Sequence, residues 1–251
     1  MKHVKGLSGR SAAACAIFCA LLIFSPGTGI ASETRSSPWQ GDVELGYQMT
    51  TGNTESRSLN AKIGIIYESA RWRHGLGYET VYSYEKQEGT TAQRFLASGR
   101  TNYKIDTRNS VYGLALYEND RFSAYKYQVT VSTGYSRQII MSDRVEWSAE
   151  IGPGYRYNNF RDDELSSQEE FIIHMGTLFI YRFTDTTSFK EELSVDAGDE
   201  NTIIRSTSSL RVLLSESLSL RVSYLIRHVT DVPEETEKTD TETFVSLSYA
   251  F

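Results

Sequence analysis

Apolar and polar residues alternate along most of the chain, beginning near residue 39. In the stretch "GDVELGYQM", Val43, Leu45 and Tyr47 occupy every second position, and Glu44 lies among the polar residues between them. A period of two places successive side chains on opposite faces of an extended strand. About twelve such runs follow one another, so the chain predicts about twelve strands, each with one apolar and one polar face.

Strand length and the position of the aromatic residues favour a membrane barrel over a soluble sandwich. Most runs span roughly 10–14 residues, whereas strands of soluble proteins usually have about 5–6 residues. Tyrosines cluster near the run ends, as in the aromatic girdles at the two surfaces of a membrane. Long polar connections such as "NNFRDDELSSQEE" also alternate with short ones such as "SES". The sequence therefore predicts an all-β fold, a transmembrane antiparallel β-barrel of about 12 strands.

Two of the runs do not show which face is apolar. "VYGLALY" at 111–117 is apolar at nearly every position, and "SFKEELSV" at 188–195 mixes charged and apolar residues on both faces. The alternation leaves the facing of these two strands open.

The N-terminal segment has the order of a secretory signal peptide. Lys2, Lys5 and Arg10 precede an apolar run that is too short for the ~20 residues of a membrane-spanning helix, and small residues follow it up to Ala31. We expect cleavage after Ala31. The resulting organisation is a signal peptide at 1–31, a short N-terminal periplasmic segment at 32–38 and an outer-membrane β-barrel at 39–251.

Composition narrows the class of protein further. Both cysteines, Cys15 and Cys19, lie in the expected signal peptide, so the exported chain has none and depends on backbone pairing rather than disulfides. The formal net charge of −6 becomes more negative once the three basic residues of that segment are removed. An acidic exported chain is a poor candidate for nucleic-acid binding.

The polar face of the strands is rich in arginine, and this is where candidate functional residues concentrate. One hypothesis is a narrow channel that prefers anions, because guanidinium groups would line the bore. The alternative is a structural or adhesive barrel whose lumen is plugged by pairs between arginine and glutamate. The lumen-lining candidates are Arg71, Arg73, Arg94, Arg100, Arg144, Glu146, Glu150, Arg156, His174, Arg182, Arg205 and Arg221.

An outer-membrane hydrolase is a third hypothesis, and the sequence gives it little support. The exported part holds only His74, His174 and His228 as histidines, and alternation turns His174 alone toward the lumen. No serine or asparagine at matching spacing indicates a triad, and no His or Cys spacing indicates a metal site. We therefore predict no enzyme activity and no cofactor, with His174 as a hydrogen-bonding group of the lumen.

Two short stretches have structural interpretations. Gly52-Asn53 in "TTGNTE" tolerates positive φ and predicts the tight turn of the first hairpin. The chain ends in "FVSLSYAF", and a final strand that ends in Phe251 resembles the signal read by the barrel-assembly machinery of bacterial outer membranes.

The chain as a whole resembles the salt-induced outer-membrane proteins, domain-of-unknown-function family 481. The similar residues are Trp39, Gly41, Gly46 and the Thr51–Thr54 turn, followed by "EIGPGYRY" at 150–157, "SFKEELS" at 188–194 and the closing "SLSYAF". The resemblance implies a barrel in the bacterial outer membrane and implies no reaction or catalytic residue. We expect outer-membrane lipid and, during biogenesis, the barrel-assembly machinery as partners, a monomeric state, and a role as a channel or as an envelope component in the response to salt or stress.

Overall fold

The structure is a computed structural model, and it describes residues 37–50, 56–123, 125–162, 166–231 and 237–251. The side chains of residues 48–50 and 56 are not described. The expected signal peptide at 1–31 and the expected turn at Gly52 and Asn53 lie outside the described residues. In the described part of the chain, no helix is long and apolar enough to cross a membrane.

The alternating runs form twelve β-strands, as the sequence predicts. They are β1 (Trp39–Thr50), β2 (Ser56–Glu68), β3 (Trp72–Glu85), β4 (Gly89–Lys104), β5 (Asn109–Asp120), β6 (Tyr125–Met141), β7 (Val145–Phe160), β8 (Gln168–Arg182), β9 (Thr187–Gly198), β10 (Thr202–Leu213), β11 (Leu218–Val229) and β12 (Thr239–Ala250). Each strand pairs antiparallel with its neighbours in the chain, and β1 pairs with β12, so the sheet is a closed barrel. This confirms the predicted fold class.

The two ends of the barrel differ. At the end that holds Trp39 and Ala250, here called the terminus end, the connections are short turns at 69–71, 105–108, 142–144, 183–186 and 214–217. The opposite end, here called the loop end, carries the longer connections 161–167 and 230–238. It also has short ones, because strands extend through residues that the sequence suggests are loop. The clearest case is the turn 86–88, where Gly89 has a φ of 84° and so allows β4 to begin at once.

The faces of the wall follow the alternation. Large apolar side chains such as Leu76, Phe171 and Ile173 point outward and are 68%, 78% and 55% exposed, which is a surface suited to lipid. Most of the buried residues are polar or charged and lie on the inner face of the wall. The core of this fold is therefore a polar interior rather than an apolar one.

The structure settles the two strands whose facing the sequence leaves open. In β5 the apolar residues Leu114 and Leu116 line the interior together with Glu118, so this strand is apolar on both faces. In β9, Asp196 points inward and contacts His174 of β8, whereas Glu191 points outward and accepts hydrogen bonds from two serine hydroxyls of β10.

Candidate functional site

A cavity of about 1370 Å³ occupies much of the barrel interior. Its lining includes turn residues of the terminus end, among them Arg71 and Arg108, and it extends inward to Glu118 and Glu242. Charged side chains of both signs line it. A ligand or water could be held in this cavity.

The cavity ends where side chains from opposite walls meet, in a group here called the cross-bore brace (Glu118, Arg205 and Arg227). Glu118 stands on β5, and β11, which carries Arg227, is the strand directly opposite in the ring. Arg205 Nη2 of β10 lies 3.0 Å from Glu118 Oε2, and Arg227 Nε lies 3.5 Å from Glu118 Oε1. Side chains that touch across a closed barrel can only point into its interior, so the brace spans the bore.

A line of hydrogen-bonded ions continues from the brace along the wall. Arg205 Nη1 lies 2.9 Å from Asp196 Oδ2, and Asp196 Oδ1 lies 2.6 Å from His174 Nδ1. On its other side, His174 Nε2 lies 3.2 Å from Glu150 Oε1, which also accepts a 2.9 Å hydrogen bond from Arg100 Nη1. Guanidinium and carboxylate groups therefore alternate around the interior with one imidazole among them.

The arrangement around His174 resembles part of a catalytic triad but leaves no ring nitrogen free to act on a nucleophile. A general base needs a free ring nitrogen within reach of a nucleophile. Here both ring nitrogens are held by carboxylates, from Asp196 and from Glu150. Among the described residues, no group of His, Cys, Asp or Glu is arranged to hold a metal ion. The geometry suits a structural tie between strands better than catalysis.

A second buried cluster lies nearer the loop end and centres on Arg156, which has no exposed surface. Its Nε donates a 2.8 Å hydrogen bond to Glu170 Oε1, and its Nη2 donates to the carbonyl oxygen and to Oδ1 of Asn201 at 2.6 and 2.8 Å. The planar guanidinium thus links β7, β8 and the connection 199–201. Such a fork of donors cannot be reproduced by lysine.

Replacing Arg156 by lysine is expected to lower the free energy of unfolding by about 1–3 kcal/mol, because the charge stays while buried acceptors lose their donors. Urea titration of the refolded protein in lipid vesicles measures this difference. Arg73→Lys is the matched control, since Arg73 is half-exposed and contacts Glu68 at 3.4 Å near the surface. If the two variants lose equal stability, the fork geometry around Arg156 does not contribute.

Two further ion pairs join strands that are not direct neighbours in the ring. Arg94 of β4 binds Glu242 of β12 through both nitrogen termini, at 2.9 and 3.0 Å. Arg221 of β11 lies 2.5 Å from Glu44 of β1, and Glu44 also accepts a hydrogen bond from Ser246 of β12. The interior is therefore cross-linked at several levels.

One acid at the terminus end lies outside the membrane-spanning strands. Asp106 in the turn 105–108 accepts hydrogen bonds from the Asn109 side-chain amide at 2.7 Å and from the backbone N–H groups of Arg108 and Asn109 at 2.8 and 2.9 Å. The Asn109 side chain and then the Arg108 amide favour the ionised form, and they lower the pKa of Asp106 below its ordinary value. The turn at the cavity mouth is thus best held when Asp106 is charged.

The twelve lumen candidates from the sequence occupy three kinds of place. Contacts through the barrel interior are made by Arg94, Arg100, Glu150, Arg156, His174, Arg205 and Arg221. At the terminus end lie Arg71, Arg73, Glu146 and Arg182, of which Arg182 and Glu146 pair with each other at 2.5 Å. Arg144 is an exposed residue of the turn 142–144 and does not line the cavity, because β7 begins only at Val145.

Sequence reasoning missed several residues that complete the interior. Glu118 and Asp196 are the acidic partners of Arg205, and both lie on the strands whose facing could not be read. Glu242 and Asn201 were missed as well, and nothing local in the sequence distinguishes them from other polar residues of strand ends.

The fold is similar to solved outer-membrane barrels at very low sequence identity. An outer membrane channel from Pseudomonas putida F1 aligns with a TM-score of 0.51 and 10% identity, covering 91% of this chain and all of that one. The NanC porin aligns with a TM-score of 0.53 and 9% identity, covering 83% of this chain and 98% of that one. These similarities show a shared outer-membrane barrel architecture.

Sequence similarity is more specific. The "Uncharacterized protein YdiY" of Escherichia coli K12 is 27% identical over 221 residues, which is 85% of this chain and 83% of that protein. Residues 43–251 match the family described as "Protein of unknown function, DUF481", which confirms the family expected from the sequence, although the salt-induced name stays an expectation. The chain therefore belongs to the DUF481 family, which is described as being of unknown function.

Proposed function

We propose that this chain forms a narrow outer-membrane channel that is closed at rest by its own side chains. The observation that carries the proposal is the cavity of about 1370 Å³, which runs from the terminus end to the cross-bore brace. Short turns face the periplasm in barrels of this class, so the terminus end would be the periplasmic mouth. The two solved barrels of the same architecture are named a channel and a porin, which is compatible with a bore in a wall of this size.

The nature of the closure supports a channel that can open. In the described part of the chain, the groups that meet across the bore belong to strand side chains such as Glu118 and Arg227. Long charged side chains change rotamer much more easily than a folded plug leaves a barrel. Rearrangement of the brace would connect the cavity to the loop end without any change in the wall.

The proposal does not extend to anion preference. That hypothesis rested on an excess of guanidinium groups, but carboxylates accompany them throughout the interior, for example Glu118 beside Arg205 and Glu242 beside Arg94. A bore with both signs close together offers no net field that selects anions. The suggested role in salt or stress response also stays a prediction.

Planar-bilayer recording of the refolded protein tests the channel. The wild type is expected to show rare, small conductance steps. The variant Glu118→Ser/Arg205→Ser/Arg227→Ser removes the brace, and Asp196, which loses Arg205, keeps its contact with His174. Its mean conductance should rise about tenfold, because water replaces the meeting side chains. The control Glu68→Ser/Arg73→Ser removes an exposed pair at the mouth and should leave the wild-type behaviour unchanged.

The alternative is a structural barrel with a plugged lumen, and the fully buried Arg156 cluster favours it. If the folded brace variant conducts no more than the wild type, then the interior is closed at more than one level and the channel proposal is wrong. An outer-membrane hydrolase has no supporting observation, since both nitrogens of His174 are occupied.

A further inference from the structure

Two like charges lie opposite each other on the inner wall near the terminus end. Arg211 of β10 and Arg221 of β11 are register partners, and both face the interior. Two cations that lie directly opposite each other on neighbouring strands repel and destabilise the pairing unless acids compensate them. Glu44 contacts Arg221. In the described part of the chain Arg211 makes no ion pair, and its Nε alone is bound, by a 3.0 Å hydrogen bond to Ser219 Oγ.

A second arginine pair on the same two strands shows what the first one lacks. Arg205 and Arg227 are also register partners of β10 and β11, and Glu118 of the opposite wall contacts both of them. Among the residues that the structure describes, no acid is shared in this way by Arg211 and Arg221. A carboxylate that a ligand supplies would complete this pair as Glu118 completes the brace, through charge-assisted hydrogen bonds.

The arginine pair lines a pocket that is large enough for a small solute. The pocket has a volume of about 440 Å³, which lies in the range of small-molecule sites. Ser217 of the turn 214–217 lines it, so it lies at the terminus end of the barrel. Ile66 and Ala250 contribute apolar surface, and Ile66 also lines the large cavity. The pocket therefore adjoins the large cavity at the mouth of the barrel.

The same pocket holds an acid that no base neutralises. Asp42 of β1 lines the pocket, and its carboxylate makes no ion pair with any residue in the described part of the chain. A Cβ on Gly64 would lie 2.9 Å from Asp42 Oδ1, so the carboxylate leans over β2 and away from Arg211 on β10. An acid and a base thus lie apart in one pocket instead of pairing with each other. A ligand that carries both charges can neutralise both side chains.

We propose that this pocket binds a small zwitterion with an apolar side chain, such as a free α-amino acid. The ligand's carboxylate accepts hydrogen bonds from the terminal nitrogens of Arg211, its ammonium group contacts Asp42, and its side chain packs against Ile66. The proposal goes beyond the channel, because binding at the mouth needs no conduction along the bore. The two can therefore succeed or fail separately, one in solute binding and the other in ionic current.

Leucine and two analogues test the pocket in the wild-type barrel. Isocaproate is leucine without its amino group, and isoamylamine is leucine without its carboxylate, so each keeps the side chain and one of the two charges. Equilibrium dialysis of radiolabelled leucine against the refolded protein in detergent micelles measures binding, with the analogues as competitors. Each analogue should bind about tenfold more weakly than leucine, because it loses one charge-assisted contact. If leucine does not bind, or if isocaproate competes as well as leucine, the zwitterion site is wrong.

Two single substitutions assign the two charges. Arg211→Gln should lower the affinity for leucine about tenfold and leave that for isoamylamine unchanged. Asp42→Asn should lower the affinity for leucine by a similar factor and leave that for isocaproate unchanged. The matched control is Arg144→Gln, which removes an exposed arginine of the same end that lines neither cavity, and it should not change binding.

The variants contradict the proposal if neither of them weakens leucine binding, or if Arg211→Gln weakens leucine and isoamylamine equally. Heat-modifiable migration on a gel shows whether each variant folds. The comparison of leucine with its analogues needs no variant, so it decides the question even where a substitution prevents folding.

Discussion

Alanine in place of Glu118 is expected to lower the free energy of unfolding by about 3–5 kcal/mol, because two guanidinium groups then remain in the interior without their shared carboxylate. Glu118 is 6% exposed, and Arg205 and Arg227 approach it from the opposite wall. Taking the acid away removes the attraction but leaves the cost of desolvating both cations, and it brings two like charges together. Urea unfolding in lipid vesicles, followed by tryptophan fluorescence, measures the loss.

Glu68→Ala is the matched control for that experiment. Glu68 also contacts two cations, Lys104 at 2.6 Å and Arg73 at 3.4 Å, but it lies at the terminus end with about a third of its side chain exposed. Exposed ion pairs contribute about 0–1 kcal/mol, so this variant should remain close to the wild type. If Glu118→Ala lost no more stability than Glu68→Ala, then water would reach Arg205 and Arg227, and the cross-bore brace would not close the bore.

The strands of the barrel wall could be predicted well because their outer faces all meet the same physical requirement. Positions that face lipid must be apolar, so the period of two in β1, β2 or β3 is easy to read. The inner face has no such demand. Leu114 and Leu116 of β5 can line the interior beside Glu118, and such a strand has no polar face to identify.

The same ambiguity explains why the sequence predicts an interior of mixed charge in which arginine outnumbers the acids. Glu118 and Asp196 lie on β5 and β9, the two strands whose facing was open. In β9 the alternation is hard to read because Glu191 is a charged residue on the outward face. There its carboxylate accepts hydrogen bonds from Ser206 at 2.7 Å and from Ser208, both on the next strand. Without these two acids, the predicted interior includes Glu146 and Glu150 but still has more guanidinium groups than carboxylates.

A local sequence pattern does not show which side chains pair with each other across the bore. Glu118 and Arg205 are 87 residues apart in the chain, and they meet only because the ring of twelve strands closes with a particular register. Alternation determines which face a residue occupies, but not which of eleven other strands it will reach. Cross-bore contacts therefore had to come from the structure.

A side chain at Gly134 is expected to damage the barrel severely. β6 and β7 approach each other closely there, between the register pairs Ser132 with Gly154 and Tyr135 with Ile151. A Cβ on Gly134 would lie 2.7 Å from the Gly152 Cα and closer still to the Ile151 carbonyl oxygen. These are backbone atoms, which cannot turn aside as a flexible side chain can.

Gly134→Ala should therefore cost about 3 kcal/mol or more, as overpacking against rigid neighbours does, and it should lower the yield of folded barrel. Gly75→Ala is the control, because a Cβ on Gly75 meets nothing within 4 Å. The damage should extend to the interior, since Gly134 pairs with Tyr112, whose ring lies 6.0 Å from that of His174. Equal stability of the two variants would mean that β6 and β7 can separate freely, and that the close approach does not fix the position of His174 beside the cavity.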